Sequence, residues 1–255
     1  MRGLNEKVVI ITGAGGGIGR ALVKRFCEEG TVVAAADISE SALASLVADL
    51  PEFESKISPV VMDITDHESV AQKVKELKER LGRIDVLVNN AGWDLVKPFI
   101  ETEPVFWQKL VDINLMGPLN LQHAVLPFMI ENGGGKIVNI ASDAGRVGSS
   151  GESVYSACKG GIIAFSKTLA RETARNNVRV NVVCPGPTDT AILRSFVGEG
   201  EVGKKIYDGL IRAIPLKRVG QPEDIPGMVA FLSSDDANFI TGQVVSVSGG
   251  LTMHG

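Results

Sequence analysis

The chain has 255 residues, of which 44% are hydrophobic and 22% charged, and its formal net charge is −4 at pH 7. These values predict one large α/β domain over residues 1–255 and exclude a disordered chain. The acidic balance argues against a nucleic-acid or membrane partner, and we find no apolar run of membrane-spanning length and no signal-type hydrophobic region. Three widely spaced cysteines form neither a disulfide nor a zinc pattern, which favours a reducing cytoplasm: Cys27, Cys158 and Cys184.

Apolar runs alternate with helical stretches along the whole chain. Strands are predicted over 7–12, 31–37, 58–62, 84–88, 136–141, 178–183 and 243–247. Helices are predicted over 18–29, 39–50, from a Thr65-x-x-Glu68 capping box to 81, around 103–116 and 120–131 with Gly117-Pro118 between them, and over 153–175. An irregular stretch with short helices is expected over 191–234. This alternation predicts a doubly wound, mainly parallel seven-stranded sheet with helices on both faces.

A glycine-rich turn joins the first strand to the first helix. Gly13, Gly17 and Gly19 permit a tight turn in which backbone N–H groups approach a pyrophosphate, although a plain turn also uses glycine. Asp37 ends the second strand, where a carboxylate accepts hydrogen bonds from an adenosine ribose and repels a 2′-phosphate. We expect Arg20 to point along the helix, so NAD is favoured over NADP. A purely structural acid is the competing interpretation of Asp37.

Three groups suited to proton transfer lie within residues 142–159. Tyr155 and Lys159 are four residues apart and share one helix face, and Ser142 follows the fifth predicted strand. A free phenol has a pKa of about 10, and a neighbouring ammonium together with an oxidised nicotinamide should lower it. Tyr155 is then a general base for an alcohol proton, with Ser142 orienting the alcohol oxygen. A surface tyrosine and a strand-end cap are the structural alternatives.

Together these motifs carry a family resemblance. The chain contains TGxxxGxG at 12–19, NNAG at 89–92, Asn114, Ser142, YxxxK at 155–159 and Pro-Gly at 185–186. In this order and spacing it resembles the short-chain dehydrogenase/reductase family over almost its whole length. The resemblance implies a Rossmann-type fold, an NAD-dependent oxidoreductase acting on CH–OH, and a homotetramer paired through the helices at 103–131 and 153–175.

The resemblance also implies roles for individual residues. The catalytic residues are Asn114, Ser142, Tyr155 and Lys159, with Lys159 also holding the nicotinamide ribose and Asn114 positioning a water. The implied cofactor contacts are Gly13, Gly16, Gly17, Ile18, Gly19, Asp37, Asp63, Ile64, Asn89, Ala91, Gly92, Tyr155, Lys159, Pro185, Gly186, Thr188 and Thr190. Thr188 departs from the aliphatic residue usual at its position, so only its backbone contact carries over. The three histidines are scattered and predict no metal site: His67, His123 and His254.

Substrate choice falls to residues outside the four catalytic ones. They are Trp93, Asp94 and the segment 146–152 with Arg146 and Ser149, together with a lid at about 188–220. Trp93 either walls a ring-shaped group or anchors the fold. From 191 to 218 the chain has six basic residues against Glu199 and two further acids, which suits an anionic carrier such as coenzyme A or a solvated helix face.

Five stretches narrow the resemblance: AGWDLVKPF, ASDAGRVGSSGE, VYSACKGG, VVCPGPTDTAIL and ITGQVVSVSGGLTM. They are similar to family members that oxidise cyclic or aryl-substituted 3-hydroxyacyl-CoA thioesters in the degradation of alicyclic and aromatic acids. A 3-oxoacyl-acyl-carrier-protein reductase is the nearest alternative, which Asp37 disfavours. A polyol or steroid alcohol dehydrogenase and a catalytically silent NAD-binding partner subunit are the others.

Overall fold

A seven-stranded sheet forms the centre of the computed structural model, which describes residues 1–198 and 200–253. The sequence considerations on Glu199 and His254 lie outside the described residues. The strand order is β3-β2-β1-β4-β5-β6-β7, and every pairing between neighbours is parallel. The predicted doubly wound sheet is confirmed. The strands are β1 (Val8–Thr12), β2 (Val32–Asp37), β3 (Ile57–Val61), β4 (Val86–Asn89), β5 (Gly135–Ile140), β6 (Val178–Pro185) and β7 (Val244–Val247).

Helices connect the strands across both faces of this sheet. They are α1 (Gly17–Glu28), α2 (Glu40–Asp49), α3 (His67–Leu81), α4 (Pro104–Val111), α5 (Gly117–Glu131), α6 (Ala144–Val147), α7 (Ser153–Thr173), α8 (Ala191–Val197), α9 (Gly200–Ala213) and α10 (Pro226–Ser233). Side chains of β1 alternate between two apolar layers, as a strand's pleat requires. Val9 and Ile11 pack in the layer that contains α1 and α10, whereas Ile10 packs in the layer with α3 and α5. None of the described helices is long and apolar enough to cross a membrane.

The junction between α4 and α5 differs from the prediction. Gly117-Pro118 does not separate two helices, because a π-helical turn over Asp112–Met116 runs directly into α5. Pro118 lies in the first turn of α5, where a missing N–H breaks no helical bond. Gly117 serves packing instead, since a Cβ there would lie only 2.5 Å from Cδ1 of Ile64.

The predicted capping box before α3 is also wrong. Asp66 is the N-cap, and its carboxylate accepts a hydrogen bond from the backbone N–H of Ser69 at 3.0 Å. Thr65 instead donates its N–H and its hydroxyl to Asp63, at 2.9 and 2.7 Å. The helix therefore begins one residue later than the Thr-x-x-Glu pattern suggests.

The strand order determines where a ligand can enter. The chain runs from β1 outward through β2 and β3, and then returns to place β4 on the other side of β1. The connections after β1 and β4 therefore diverge and leave a crevice at the carboxyl ends of these strands. Crevices at such switch points are where ligands bind in open parallel sheets.

Candidate active site

The glycine turn after β1 forms a cradle that only glycine permits. Gly13 has a φ of +63°, and a Cβ on it would lie 2.8 Å from the Cα of Ala91. A Cβ on Gly19 would lie 1.9 Å from the carbonyl oxygen of Gly13. Gly16 is the N-cap of α1 and offers no side-chain acceptor to the first turn. The free N–H groups of this helix end fit the pyrophosphate of a dinucleotide.

Asp37 is held at the end of β2 by two backbone amides. Its Oδ2 accepts from the N–H of Gly15 and its Oδ1 from the N–H of Ser39, each at 2.9 Å. Each oxygen keeps a lone pair for the ribose hydroxyls of a bound nucleotide. Arg20 does not point along the helix as predicted. Its guanidinium donates to the Gly15 carbonyl at 2.9 Å and to Asp49 at 2.6 Å. These bonds use guanidinium N–H groups that could otherwise bind a nucleotide phosphate.

A cavity of about 640 Å³ opens beside Asp37. It is lined by several of the predicted cofactor residues, namely Gly13, Asp37, Asp63, Ile64, Ala91 and Gly92. Trp93 also lies here and not on the catalytic cavity, contrary to its predicted substrate role. Its ring is covered by the Lys109 ammonium, 3.7 Å from the ring centroid, and meets Phe106 edge-on at 5.8 Å.

The catalytic cavity is continuous with the ends of β5 and β6 and has a volume of about 490 Å³. Predicted site residues that line it are Ile18, Gly92, Asp94, Ser142, Ser149, Tyr155, Lys159, Pro185, Gly186, Thr188 and Thr190. The lid contributes Ile192 and Leu193 of α8 and Leu210 of α9. The cavity thus combines a polar floor with apolar walls.

Lys159 is buried beneath this cavity. Its Nζ donates to the Ile140 carbonyl at 3.1 Å, at the last residue of β5, and lies 5.5 Å from the centroid of the Tyr155 ring. Burial lowers the pKa of Lys159 to about 8. A Cβ on Gly92 would lie 3.4 Å from this Nζ and 3.1 Å from Oδ1 of Asn114, so Gly92 keeps open the space where the two groups meet.

Asn114 lies in the π-helical turn between α4 and α5 and is fully buried. Its Nδ2 donates to the carbonyls of Trp93 at 2.7 Å and Leu110 at 3.1 Å, and its Oδ1 accepts from the N–H of Trp93 at 3.2 Å. The side chain therefore ties the loop after β4 to α4. A π-bulge at such a position is common at functional sites.

Tyr155 and Ser142 face the cavity together. Burial raises the pKa of Tyr155 above its ordinary value, and the carboxyl groups of Asp94 and Glu152 raise it further. A hydrogen-bonding interaction with the Ser142 hydroxyl acts in the opposite direction. The chain's own groups thus raise the pKa of Tyr155, and the predicted lowering, which needs Lys159 together with an oxidised nicotinamide, stays a prediction.

Asn89 and Arg146 are among the predicted residues that line neither cavity. The Asn89 side chain is buried, and its Nδ2 donates to Asn139 of β5 at 2.8 Å. The Nη1 of Arg146 donates to Ser246 of β7 at 2.9 Å. Periodicity shows neither orientation, since both partners are distant in sequence.

The sequence reasoning gave no role to Thr12, Asn90 or Asp143, whereas Glu152 lies in the segment 146–152 that it placed beside the substrate. The Thr12 hydroxyl accepts from the N–H groups of Asn90 and Ala91, each at 3.1 Å, and joins β1 to the loop after β4. The Asn90 side chain donates to the carbonyls of Thr12 and Gly13 at 3.0 and 3.2 Å. Asp143 and Glu152 line the catalytic cavity. Thr12 and Asn90 belong to the TGxxxGxG and NNAG motifs quoted above, so these motifs could have predicted that both residues lie at the site.

Comparison with known proteins agrees with this geometry. The family model described as enoyl-(acyl carrier protein) reductase matches residues 13–252. The chain belongs to the short-chain dehydrogenase/reductase family. It is 38% identical to a 3-oxoacyl-[acyl-carrier-protein] reductase of Thermotoga maritima, covering 98% of this chain and 99% of that protein. It is 36% identical to meso-2,3-butanediol dehydrogenase of Serratia marcescens, covering 97% and 95%. The crystal structure of levodione reductase superposes with a TM-score of 0.92 at 34% identity, covering 96% and 97%.

As a short-chain dehydrogenase/reductase, the protein is an oxidoreductase that acts on secondary alcohols or ketones and binds a nicotinamide cofactor. Among the described residues, no group of three or more histidine, cysteine, aspartate or glutamate side chains is placed to hold a metal ion. The rings of His67 and His123, which are distant in sequence, lie 5.6 Å apart on α3 and α5.

The lid charges are partly neutralised within the fold. Arg194 donates to Asp189 at 2.8 Å, and Arg218 forms a two-bond pair with Asp224 at 2.5 and 2.8 Å. The Lys217 ammonium donates to the Arg212 carbonyl at 2.9 Å. Three of the six basic residues counted from the sequence are thus already bonded to the protein.

The pH dependence of alcohol oxidation should respond to Asp94. Burial raises the pKa of Asp94 to about 7, so it is charged at the alkaline pH where Tyr155 titrates, and its charge opposes formation of the phenolate. Replacing Asp94 by Asn removes that charge and should shift the rise of kcat with pH, which follows deprotonation of Tyr155, to lower pH by about 0.5 to 1 unit.

This shift is measured by NADH absorbance across a pH series. Glu101→Gln, which neutralises an exposed carboxylate outside the cavity, is the matched control and should leave the profile in place. An unchanged profile for Asp94→Asn, or a shift to higher pH, would contradict the electrostatic role of Asp94.

Proposed function

We propose that residues 1–255 form one NAD-binding domain that catalyses the reversible oxidation of a secondary alcohol to a ketone, with Tyr155 as the general base. The observation that carries this proposal is the convergence of Ser142, Tyr155 and Lys159 on one cavity at the ends of β5 and β6. The adjoining cavity, with the glycine cradle and Asp37, supports a dinucleotide on its other side. A catalytically silent subunit would not need the three catalytic side chains to line a substrate-sized space.

The roles follow from chemistry and position. Tyr155 takes the proton of the alcohol oxygen, which the Ser142 hydroxyl holds in place. Lys159, buried beneath, stabilises the phenolate by its charge and holds the ribose of the cofactor. A bound oxidised nicotinamide supplies the hydride acceptor and a further positive charge. Asn114 holds the loop after β4 and positions a water that links Lys159 to solvent.

The cofactor contacts are divided between the two cavities. Asp63, Ile64, Ala91 and Gly92 line the cavity beside Asp37 and would hold the adenine side of the cofactor. Pro185, Gly186, Thr188 and Thr190 line the catalytic cavity and would hold the nicotinamide. Asn89 lines neither cavity and its Nδ2 is bonded to Asn139, so its proposed contact is through the backbone. Thr190 is also the N-cap of α8, so this contact is linked to the lid.

NAD, rather than NADP, is the proposed cofactor. Asp37 places a carboxylate where a 2′-phosphate would lie, and Ile38 beside it is 68% exposed and offers no positive charge. The nearest guanidinium, that of Arg20, is bonded to Gly15 and Asp49. The repulsion is therefore uncompensated.

The proposed substrate is a cyclic or aryl-substituted 3-hydroxyacyl-CoA. The five stretches quoted above resemble 2-hydroxycyclohexanecarboxyl-CoA dehydrogenase of alicyclic and aromatic acid degradation. Apolar side chains of the lid and of 96–147, including Val96, Val147 and Leu210, give the cavity walls that suit a ring. Lys204 and Lys205 are exposed on α9 and provide positive charge for the carrier.

A free alcohol or diol is the second candidate substrate. Asp94 and Glu152 put two acids on the catalytic cavity, which favours a polar, uncharged substrate. Reduction of a 3-oxoacyl-[acyl-carrier-protein] is a further alternative, because one relative of this chain carries that name. Asp37 disfavours it, since synthetic reductions usually use NADPH and Asp37 repels the 2′-phosphate of that cofactor.

A homotetramer working in the cytoplasm is the proposed assembly. Apolar side chains are exposed on and before α4, where Ile100 is 93% and Val105 79% exposed. The three cysteines are buried free thiols, which fits a reducing compartment. Light scattering should give a mass near four times the 27.0 kDa of one chain, and a monomeric mass would contradict the assembly.

The decisive experiment is a screen for NAD reduction across hydroxyacyl-CoA thioesters, free hydroxy acids, diols and simple alcohols. We expect the highest kcat/KM with a cyclic hydroxyacyl-CoA.

Tyr155→Phe should lower turnover about 10²- to 10⁴-fold while NAD binding, followed by fluorescence, is retained. Tyr207→Phe changes the only other tyrosine and is the matched control. Activity on alcohols without any thioester would refute the substrate, and an active Tyr155→Phe enzyme would refute the mechanism.

Cofactor choice is tested at Asp37. Asp37→Ser removes the charge that repels a 2′-phosphate and the acceptor for the ribose hydroxyls, so kcat/KM with NAD should fall and the NADP/NAD ratio should rise by at least about tenfold. Glu40→Gln, which neutralises a neighbouring exposed acid at the start of α2, should leave the ratio unchanged. Equal ratios in wild type and Asp37→Ser would exclude this role.

A further inference from the structure

Asp94 is an acid on the catalytic cavity whose hydrogen-bonding capacity is only partly used. Its side chain follows the NNAG turn, is only 5% exposed and borders the space in front of Tyr155. The groups that interact with it are the carboxyl group of Glu152 and the backbone of Leu95, and neither carboxylate oxygen accepts a hydrogen bond of ordinary geometry from the described residues. Burying a carboxylate with so few donors is unfavourable, so the site is suited to a donor that arrives with a ligand.

Glu152 places a second carboxyl group beside the first. It raises the pKa of Asp94, which shows that the two acids interact closely. Glu152 is the N-cap residue of α7, yet its side chain makes no capping hydrogen bond. Its carboxyl group lies instead beside that of Asp94, and both residues line the cavity.

The backbone holds the two loops in register. The N–H of Lys97 donates to the carbonyl of Gly151 at 2.9 Å, and a Cβ on Gly151 would lie 2.6 Å from Cγ1 of Val96. Gly151 has a φ of +80°, which also favours glycine. The close approach of the loops fixes the positions from which Asp94 and Glu152 reach the cavity.

The surroundings define the charge of the missing donor. Two adjacent acids repel an anionic group such as a free carboxylate. Lys159, whose ammonium is already bonded to Ile140, disfavours a second cation in the same space. Both acids act on Tyr155, so the donor lies near the reacting carbon. An uncharged hydroxyl satisfies all three conditions.

We propose that Asp94 and Glu152 form a subsite that accepts a hydrogen bond from a second hydroxyl of the substrate, adjacent to the carbon that is oxidised. The proposal rests on the proposed dehydrogenase site and specifies its substrate class. A free cyclic diol and a cyclic hydroxyacyl thioester with a further ring hydroxyl present the same chemistry to the subsite, and separate arms of the experiment distinguish them.

Calorimetry of the dead-end complex with NADH tests the subsite without turnover. The free-diol arm compares cyclohexane-1,2-diol with 2-methoxycyclohexanol, which has similar shape but lacks the second donor. The thioester arm compares 2-hydroxycyclohexanecarboxyl-CoA with and without an additional ring hydroxyl. In at least one arm the wild-type protein should bind the hydroxylated compound at least about tenfold more tightly than its partner. The arm that shows this preference identifies the source.

Asp94→Leu should reduce that preference to within about threefold, because it removes the acceptor. Asp94→Leu should fold, because an apolar side chain avoids the free-energy cost of burying an acid. If it does not fold, Asp94→Asn is measured instead and should lose part of the preference for the hydroxylated compound. Glu101→Gln should keep the full preference. Equal affinities within both arms, or a preference that Asp94→Leu and Asp94→Asn both leave intact, overturn the subsite. Because binding is measured without catalysis, a negative result in the NAD-reduction screen is a separate outcome that bears on the dehydrogenase function.

Discussion

The reversal of strand order between β1 and β4 is the constraint on which the site depends. Both strands are parallel and end at the same edge of the sheet, but the chain leaves them in different directions. The Thr12 hydroxyl bridges the gap by accepting both the Asn90 and the Ala91 N–H groups. These bonds hold the glycine cradle and the NNAG turn against each other, so the two turns together form one wall of the crevice at this edge of the sheet.

Burial controls the chemistry of the catalytic groups. Lys159 is inserted beneath the end of β5 and loses enough hydration that its pKa falls to about 8. The same dry environment raises the pKa values of Tyr155 and Asp94, and two neighbouring acids add to the effect on Tyr155. The free protein therefore favours a neutral phenol. In the proposed mechanism, the charge that promotes the phenolate would come from Lys159 together with the bound cofactor, so proton transfer would depend on cofactor binding.

Tertiary contacts change the meaning of charges counted along the chain. The lid has an excess of basic residues in sequence, but Arg194 and Arg218 are paired with acids that flank the counted stretch. Conversely, the sequence places Asp94 and Glu152 near the substrate in two separate segments, and only the fold brings them together as a pair of acids at the cavity. The balance of the cavity itself is thus more acidic than the linear count suggests, which favours an uncharged polar group next to the reacting carbon.

The sequence by itself determined the doubly wound sheet, the glycine cradle and the set of Ser142, Tyr155 and Lys159 on one cavity, because apolar periodicity, turn chemistry and i, i+4 spacing are local properties. It also showed Asp37 at a strand end. Only the tertiary structure decided the direction of side chains whose partners are remote: Trp93 lies against Lys109, Asn89 against Asn139 and Arg146 against Ser246. The juxtaposition of Asp94 and Glu152 belongs to the same class, since it depends on how two loops pack and not on either loop's residues alone.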